Sequence, residues 1–119
     1  VRALPATGYE RVSIGRGLLM VDVGACPTDM PYAQTVHASP LSFEFCYGRE
    51  RIFSNCGAHP YHPEWQQVLR HTAAHNAATL NGASVEQVRA NGTLSPTRGK
   101  VKCDRQETRD TCLLDLSHE

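Results

Sequence analysis

The feature that most constrains this chain is the alternation in Leu41-Ser42-Phe43-Glu44-Phe45-Cys46-Tyr47, where large apolar residues fall on odd positions and polar or small ones on even positions. A period of two sends successive side chains to opposite faces of an extended backbone, so the stretch predicts a strand with one buried face. Gly48-Arg49-Glu50 supplies a turn, and Arg51-Ile52-Phe53-Ser54-Asn55 returns antiparallel. The result is a hairpin over 41–55 whose simplest register sets Asn55 opposite Ser42. A second hairpin is predicted over 9–23. Val12 and Ile14 share one face there, Gly15-Arg16-Gly17 breaks the run, and the Leu- and Val-rich segment 18–23 closes at Gly24.

Between these hairpins, residues 27–34 carry two prolines and an Asp without periodicity and read as a surface loop. Pro63 suits a first helical turn, and Trp65, Val68 and Leu69 follow at helical spacing, which predicts one short helix near 63–71. Residues 77–80 before Asn81-Gly82 read as a strand meeting a turn, 84–89 fit either state, and 91–99 form a turn-rich loop. Strands resume over 100–104 and 111–116. Short strands at regular spacing, with one helix, place the chain in the all-β class as an antiparallel β-sandwich.

A length of 119 residues allows a single core, so 1–119 is read as one domain. The formal net charge of zero offers no field to steer polyanions, which makes nucleic acid a poor partner. The longest apolar run, Leu18-Leu19-Met20-Val21, stops at Asp22, far short of the roughly 18 residues a membrane-spanning helix needs. The sequence starts at Val1 without a Met and stops just after an apolar stretch, as expected of a piece cut at both ends from a longer protein. Five cysteines, Cys26, Cys46, Cys56, Cys103 and Cys112, show no C-x-x-C spacing and are read as buried or free thiols.

Six histidines are the residues with chemical potential, and five of them lie between positions 37 and 75. His71 and His75 stand four apart, which on a helix shares a face, but the metalloprotease pattern needs a Glu after the first His and Thr72 sits there. His59 and His62 are close in an extended Pro-flanked segment without fixed geometry. At longer range, His37 precedes the central hairpin, Asn55 ends it, and His75 opens the next expected strand, so all three can gather at one end of a sheet. From spacing alone, packing histidines remain the leading alternative to ligands. No G-x-S-x-G elbow or Gly-rich phosphate loop is present, and Asp22 and Glu44 read as solvated strand-face carboxylates.

These residues give the chain a resemblance to a known family. Val36-His37-Ala38-Ser39-Pro40-Leu41-Ser42-Phe43-Glu44-Phe45, then Gly48, Asn55-Cys56-Gly57, and Thr72-Ala73-Ala74-His75-Asn76 leading to Gly82, resemble the C-terminal β-sandwich region of the heparinase II/III-like polysaccharide lyases. The resemblance implies part of a larger sandwich domain, in a protein exported to the periplasm or cell envelope, whose α/α-toroid domain lies upstream. It implies β-elimination on a uronic-acid-containing polysaccharide, with an acidic polysaccharide as partner and this region supplying a cleft wall. His37 and His75 correspond to metal-binding histidines and Asn55 to a third ligand, usually Asp, around a structural zinc ion. Thr35 and His37 correspond to substrate-cleft positions, Thr35 standing where the family has a His. A neutral amide in place of a carboxylate lowers the expected metal affinity. The alternative from another class is a non-catalytic carbohydrate-binding or scaffolding sandwich.

Overall fold

The structure, a computed structural model, describes residues 3–4, 6–25, 34–95 and 99–119. Most of the expected 27–34 loop, and Cys26, lie outside the described residues. Two antiparallel sheets organise the chain, consistent with the expected β-sandwich. Strands β1 (Ala3–Leu4), β2 (Tyr9–Ile14), β3 (Gly17–Asp22), β4 (Phe43–Tyr47) and β5 (Glu50–Phe53) form one sheet in sequence order. Strands β6 (Val101–Glu107) and β7 (Cys112–His118) form the other, and α1 (Pro63–Leu69) is the short helix, begun by its proline as the sequence predicts.

Alternation sets the larger sheet. Val12 pairs with Leu19, Leu19 with Phe45 and Phe45 with Phe53, so one apolar row crosses four strands. The opposite face carries Tyr9 across from Asp22 and Met20 across from Glu44. A one-residue slip in the β4–β5 ladder, between Phe45 and Cys46, leaves Ile52 over between Arg51 and Phe53. That slip corrects the simple register: Asn55 comes beside Phe43, to whose carbonyl its Nδ2 donates at 3.5 Å. The strand expected from Leu41 starts instead at Phe43, because Leu41 takes a left-handed φ of 60° in the turn after Pro40.

The strand expected over 77–80 does not form. A 3₁₀ turn spans Thr72–Ala74, His75 caps it, and only an isolated bridge joins Leu80 to Ala83 across Asn81 and Gly82. Both of those residues have positive φ, 52° and 71°, the geometry of a two-residue turn that closes on itself without a third strand to pair with.

The described apolar core is small, with Val21, Ala38 and Leu94 as its buried hydrophobic residues. Arg70 has no exposed surface and acts as a polar centre. Its Nε donates to Val36 O at 2.8 Å and its Nη1 to Gly92 O at 2.6 Å, while Ala38 N donates to Arg70 O at 2.8 Å. Thr72, also fully buried, donates from Oγ1 to Ala38 O at 2.5 Å and accepts from Val85 N. The loop between the hairpins is thereby sewn to the segment following α1. The second sheet is joined to the first through Arg105 of β6, which donates to Glu10 at 2.7 Å and to Arg11 O at 3.1 Å, and also bonds Glu107.

Accessible surface totals 8438 Å². A compact protein of 13.1 kDa exposes about 6,400 Å², so about 2,000 Å² more than usual is open to solvent. Ile14, Tyr47, Ile52 and Phe53 on the sheet, with Trp65 and Val68 on the helix, are among the exposed apolar side chains.

Replacing Arg70 with Met keeps the stem and removes the donors, leaving the Val36 and Gly92 carbonyls without them. The expected loss is roughly 3 kcal/mol of unfolding free energy, read from denaturant melts. A variant as stable as the parent would show that the guanidinium is not the clamp.

Candidate functional site

The site grows from the clamp. With Val36 O held by the Arg70 guanidinium and Ala38 held by both the Arg70 carbonyl and Thr72, His37 between them has its backbone fixed on both sides. His75 is placed by the 3₁₀ turn that follows α1. The last carbonyls of a helix have no partner within it. One of them, Leu69 O, lies 2.9 Å from His75 Nε2, and the same nitrogen lies 2.9 Å from His37 Nδ1. The two rings meet edge to face, with centroids 4.9 Å apart and planes at 64°. One proton satisfies this junction when it sits on His75 Nε2 and His37 Nδ1 accepts.

Both imidazoles are held below the ordinary histidine range. Burial is the main cause for His37, reinforced by His75 and by the Arg70 charge and opposed by the Leu69 carbonyl. Burial also lowers His75, again against the pull of Leu69. A pair of neutral rings with their nitrogens aimed at each other can share a proton or offer lone pairs to a cation.

Asn55 lines the same cleft, which has a volume of about 720 Å³. Its Oδ1 accepts from Asn76 N at 3.1 Å, and the Asn76 Nδ2 donates to Phe43 O at 3.3 Å. The structure therefore brings His37, Asn55 and His75 to one cavity, although they are far apart in sequence. Thr35 is exposed, and the cleft lining begins at the next residue, Val36. Among the described residues no group of three or more His, Cys, Asp or Glu side chains is arranged to hold a metal, so any ligand set here needs the Asn55 amide, a backbone carbonyl or water.

The other histidines fall elsewhere. His71 and His75 do not share a helix face, because α1 ends at Leu69 and His71 turns to Ser84 Oγ at 3.2 Å. His59 and His62 stack edge to face at 4.9 Å in a turn closed by His62 N donating to His59 O, rather than lying in an extended segment. The described cysteines, Cys46, Cys56, Cys103 and Cys112, are free thiols, two of them half-buried and two exposed.

Three cleft residues were not legible as functional: Tyr9, Asp22 and Glu44. Asp22 and Glu44 were read as solvated, yet both line the cavity with Tyr9 on the polar face of the sheet. Burial pushes the Asp22 carboxyl up against the opposing Gly24 N–H at 3.0 Å. Burial, with Asp22 and Glu44 nearby, pushes the Tyr9 phenol up and keeps it protonated. The alternation of β3 and β4 was the available signal, since it sets Asp22 and Glu44 on one face.

Fold and cleft together define a β-rich domain with an imidazole pair at the wall of a polar cavity, of the kind related to polysaccharide lyases. The family model described as heparinase II/III-like, C-terminal, matches residues 1–118, and the chain belongs to that family. Neither the curated proteins nor the solved structures compared with it contain a match.

The lowered imidazoles fix the sign of one pH response. Unfolded histidines take up protons near pH 6.5, whereas the folded pair does so only at lower pH, so acidification below about 6.5 favours the unfolded chain. In chelator-treated protein, the melting temperature should hold steady above neutrality and fall below about pH 6.5. A His37→Gln, His75→Gln variant should lose most of that fall. The raised Asp22 acts with the opposite sign and in the carboxylate range, so comparing variant with parent isolates the imidazoles. An unchanged slope in the variant would refute the assignment.

Proposed function

We propose that the chain is the sandwich portion of a polysaccharide lyase that cleaves uronic-acid-containing polysaccharide by β-elimination, and that it supplies one wall of the glycan cleft. The observation that carries this reading is the meeting of His37 and His75 at 2.9 Å on the wall of a polar cavity, in a chain of the heparinase II/III-like C-terminal family. In β-elimination a base removes the proton beside the uronate carboxylate, the growing charge is neutralised, and an acid protonates the departing glycosidic oxygen. Within this wall the Tyr9 phenol is a proton holder rather than a base, because its surroundings keep it protonated. The remaining groups come from a helical toroid domain of the same lyase, and the excess exposed surface, with Ile14, Tyr47 and Phe53 in it, suits contact with further parts of that protein.

His37, His75 and Asn55 are proposed to hold a structural zinc ion. The donor chemistry fits: two neutral imidazoles bind zinc well, and nitrogens each about 2.0–2.1 Å from one ion lie less than about 4.2 Å apart, a limit the observed pair meets. The Asn55 Oδ1 keeps a second lone pair beyond the one that faces Asn76 N. Zinc in this position supplies rigidity: it replaces the shared proton between the rings and ties the loop carrying His37 to the hairpin end and to the turn after α1. His37, His75 and Asn55 orient one another in its absence through the hydrogen bonds already described.

Purified chain is expected to carry up to one equivalent of zinc, and His75→Ala to lose most of it along with several degrees of melting temperature, read by metal analysis and calorimetry. Equal zinc in variant and parent would remove the ion from the proposal. For the reaction, the ultraviolet absorbance of unsaturated uronate products should be absent with this chain alone and appear once the helical domain is joined to it. Absence with both domains across a range of acidic polysaccharides would favour a carbohydrate-binding module.

A further inference from the structure

The charges on the cleft wall narrow the class of glycan it takes. This step rests on the proposed function in taking the cavity as the glycan site. Among the described residues lining it, Lys100 is the only permanently cationic side chain, and no Arg contributes. Asp22 and Glu44 present carboxylates from adjacent strands on one face of the sheet, across from the neutral imidazoles of His37 and His75. Asn55 N donates to Glu44 Oε1 at 3.3 Å and Gly24 N to Asp22 Oδ1 at 3.0 Å, so each carboxylate is held by a backbone N–H rather than neutralised by a cation. Tyr9, across from Asp22 and 42% exposed, adds an aromatic surface beside them.

A wall of this composition accepts hydrogen bonds from hydroxyl groups and packs an aromatic ring against the C–H face of a pyranose. It repels sulfate esters, which need cationic and N–H donors. We infer that the cleft is built for an unsulfated, low-charge-density uronic-acid polysaccharide, with Asp22 and Glu44 reading sugar hydroxyls and rejecting sulfated chains. The single carboxylate of each uronate is left to the Lys100 side of the cleft or to groups beyond this wall. One sulfate brought within about 6 Å of one of these carboxylates, at the dielectric of a protein surface, costs about a tenfold loss of affinity.

The test titrates the 119-residue chain with two oligosaccharides of equal length and backbone, one unsulfated and one sulfated, by calorimetry at low and high salt. The parent should bind the unsulfated compound at least tenfold more tightly at low salt, and the gap should shrink as salt screens the charges. In an Asp22→Asn, Glu44→Gln variant, which keeps an acceptor oxygen at both backbone contacts, the gap should close to within about threefold. Thermal melts of that variant show that it is folded. Sulfated binding equal to or tighter than unsulfated in the parent would overturn the inference while leaving the cleft as a glycan site. A gap that survives in the folded variant would overturn the role of the two carboxylates. Binding of neither compound would overturn the inference together with the cleft-wall reading.

Discussion

Everything near the cleft depends on one buried cation. Arg70 has no exposed surface, yet its guanidinium is spent on backbone carbonyls: Val36 O on one side and Gly92 O on another, with its own carbonyl taking the Ala38 amide. Three separate segments therefore converge on one side chain. A hydrophobic residue could fill the space but could not satisfy those carbonyls, and an unsatisfied buried carbonyl costs more than the net worth of a typical hydrogen bond. This explains how a chain with so few fully buried hydrophobic residues holds a defined loop. The same charge acts on the site, because its proximity helps keep His37 neutral.

Around that clamp the larger sheet divides the labour between its faces. The row Val12, Leu19, Phe45 and Phe53 makes one face apolar, and Tyr9, Asp22 and Glu44 make the other polar and cleft-lining. Period-two geometry makes this division unavoidable once the register is set: strands that carry an apolar row on one face present their intervening residues to the other. The second sheet reaches the first through Arg105 and Glu10, whose side chains are 18% and 16% exposed. A hairpin of two strands is marginal by itself, so this partly shielded ion pair and the half-buried Leu114 and Leu116 do much to seat it.

The strands were legible where the pattern was local. The alternation of 41–47, the glycines after Ile14 and Tyr47, and Pro63 gave both hairpins and the helix to within two residues. What escaped was set by contacts distant in sequence. Nothing local announces that Ile52 drops out of the ladder, so the partner of Asn55 was misplaced by one position. Residues 77–80 have strand-like composition but no neighbouring strand to pair with, and a strand without a partner does not form. Arg70, Thr72 and Glu86 carry polar side chains that local reasoning assigns to the surface, and all three are fully buried. The meeting of His37 with His75 followed from the resemblance rather than from periodicity, since their approach depends on the carbonyls of Leu69 and Arg70.

The substitution of Asn for Asp at position 55 can be weighed by what each side chain does at that point. An aspartate would bring charge to a cation but could donate to nothing. Asn55 both accepts from Asn76 N and donates toward Phe43 O, the carbonyl that Asn76 Nδ2 also reaches. Two amides thus tie the end of the β5 segment to the turn that carries His75, a link an ionised carboxylate would leave half made. The exchange moves the residue's contribution from charge toward scaffolding. With the neighbouring imidazoles kept neutral by burial, the whole cluster is held without an ion, and a cation entering it would stiffen an arrangement the backbone has already set.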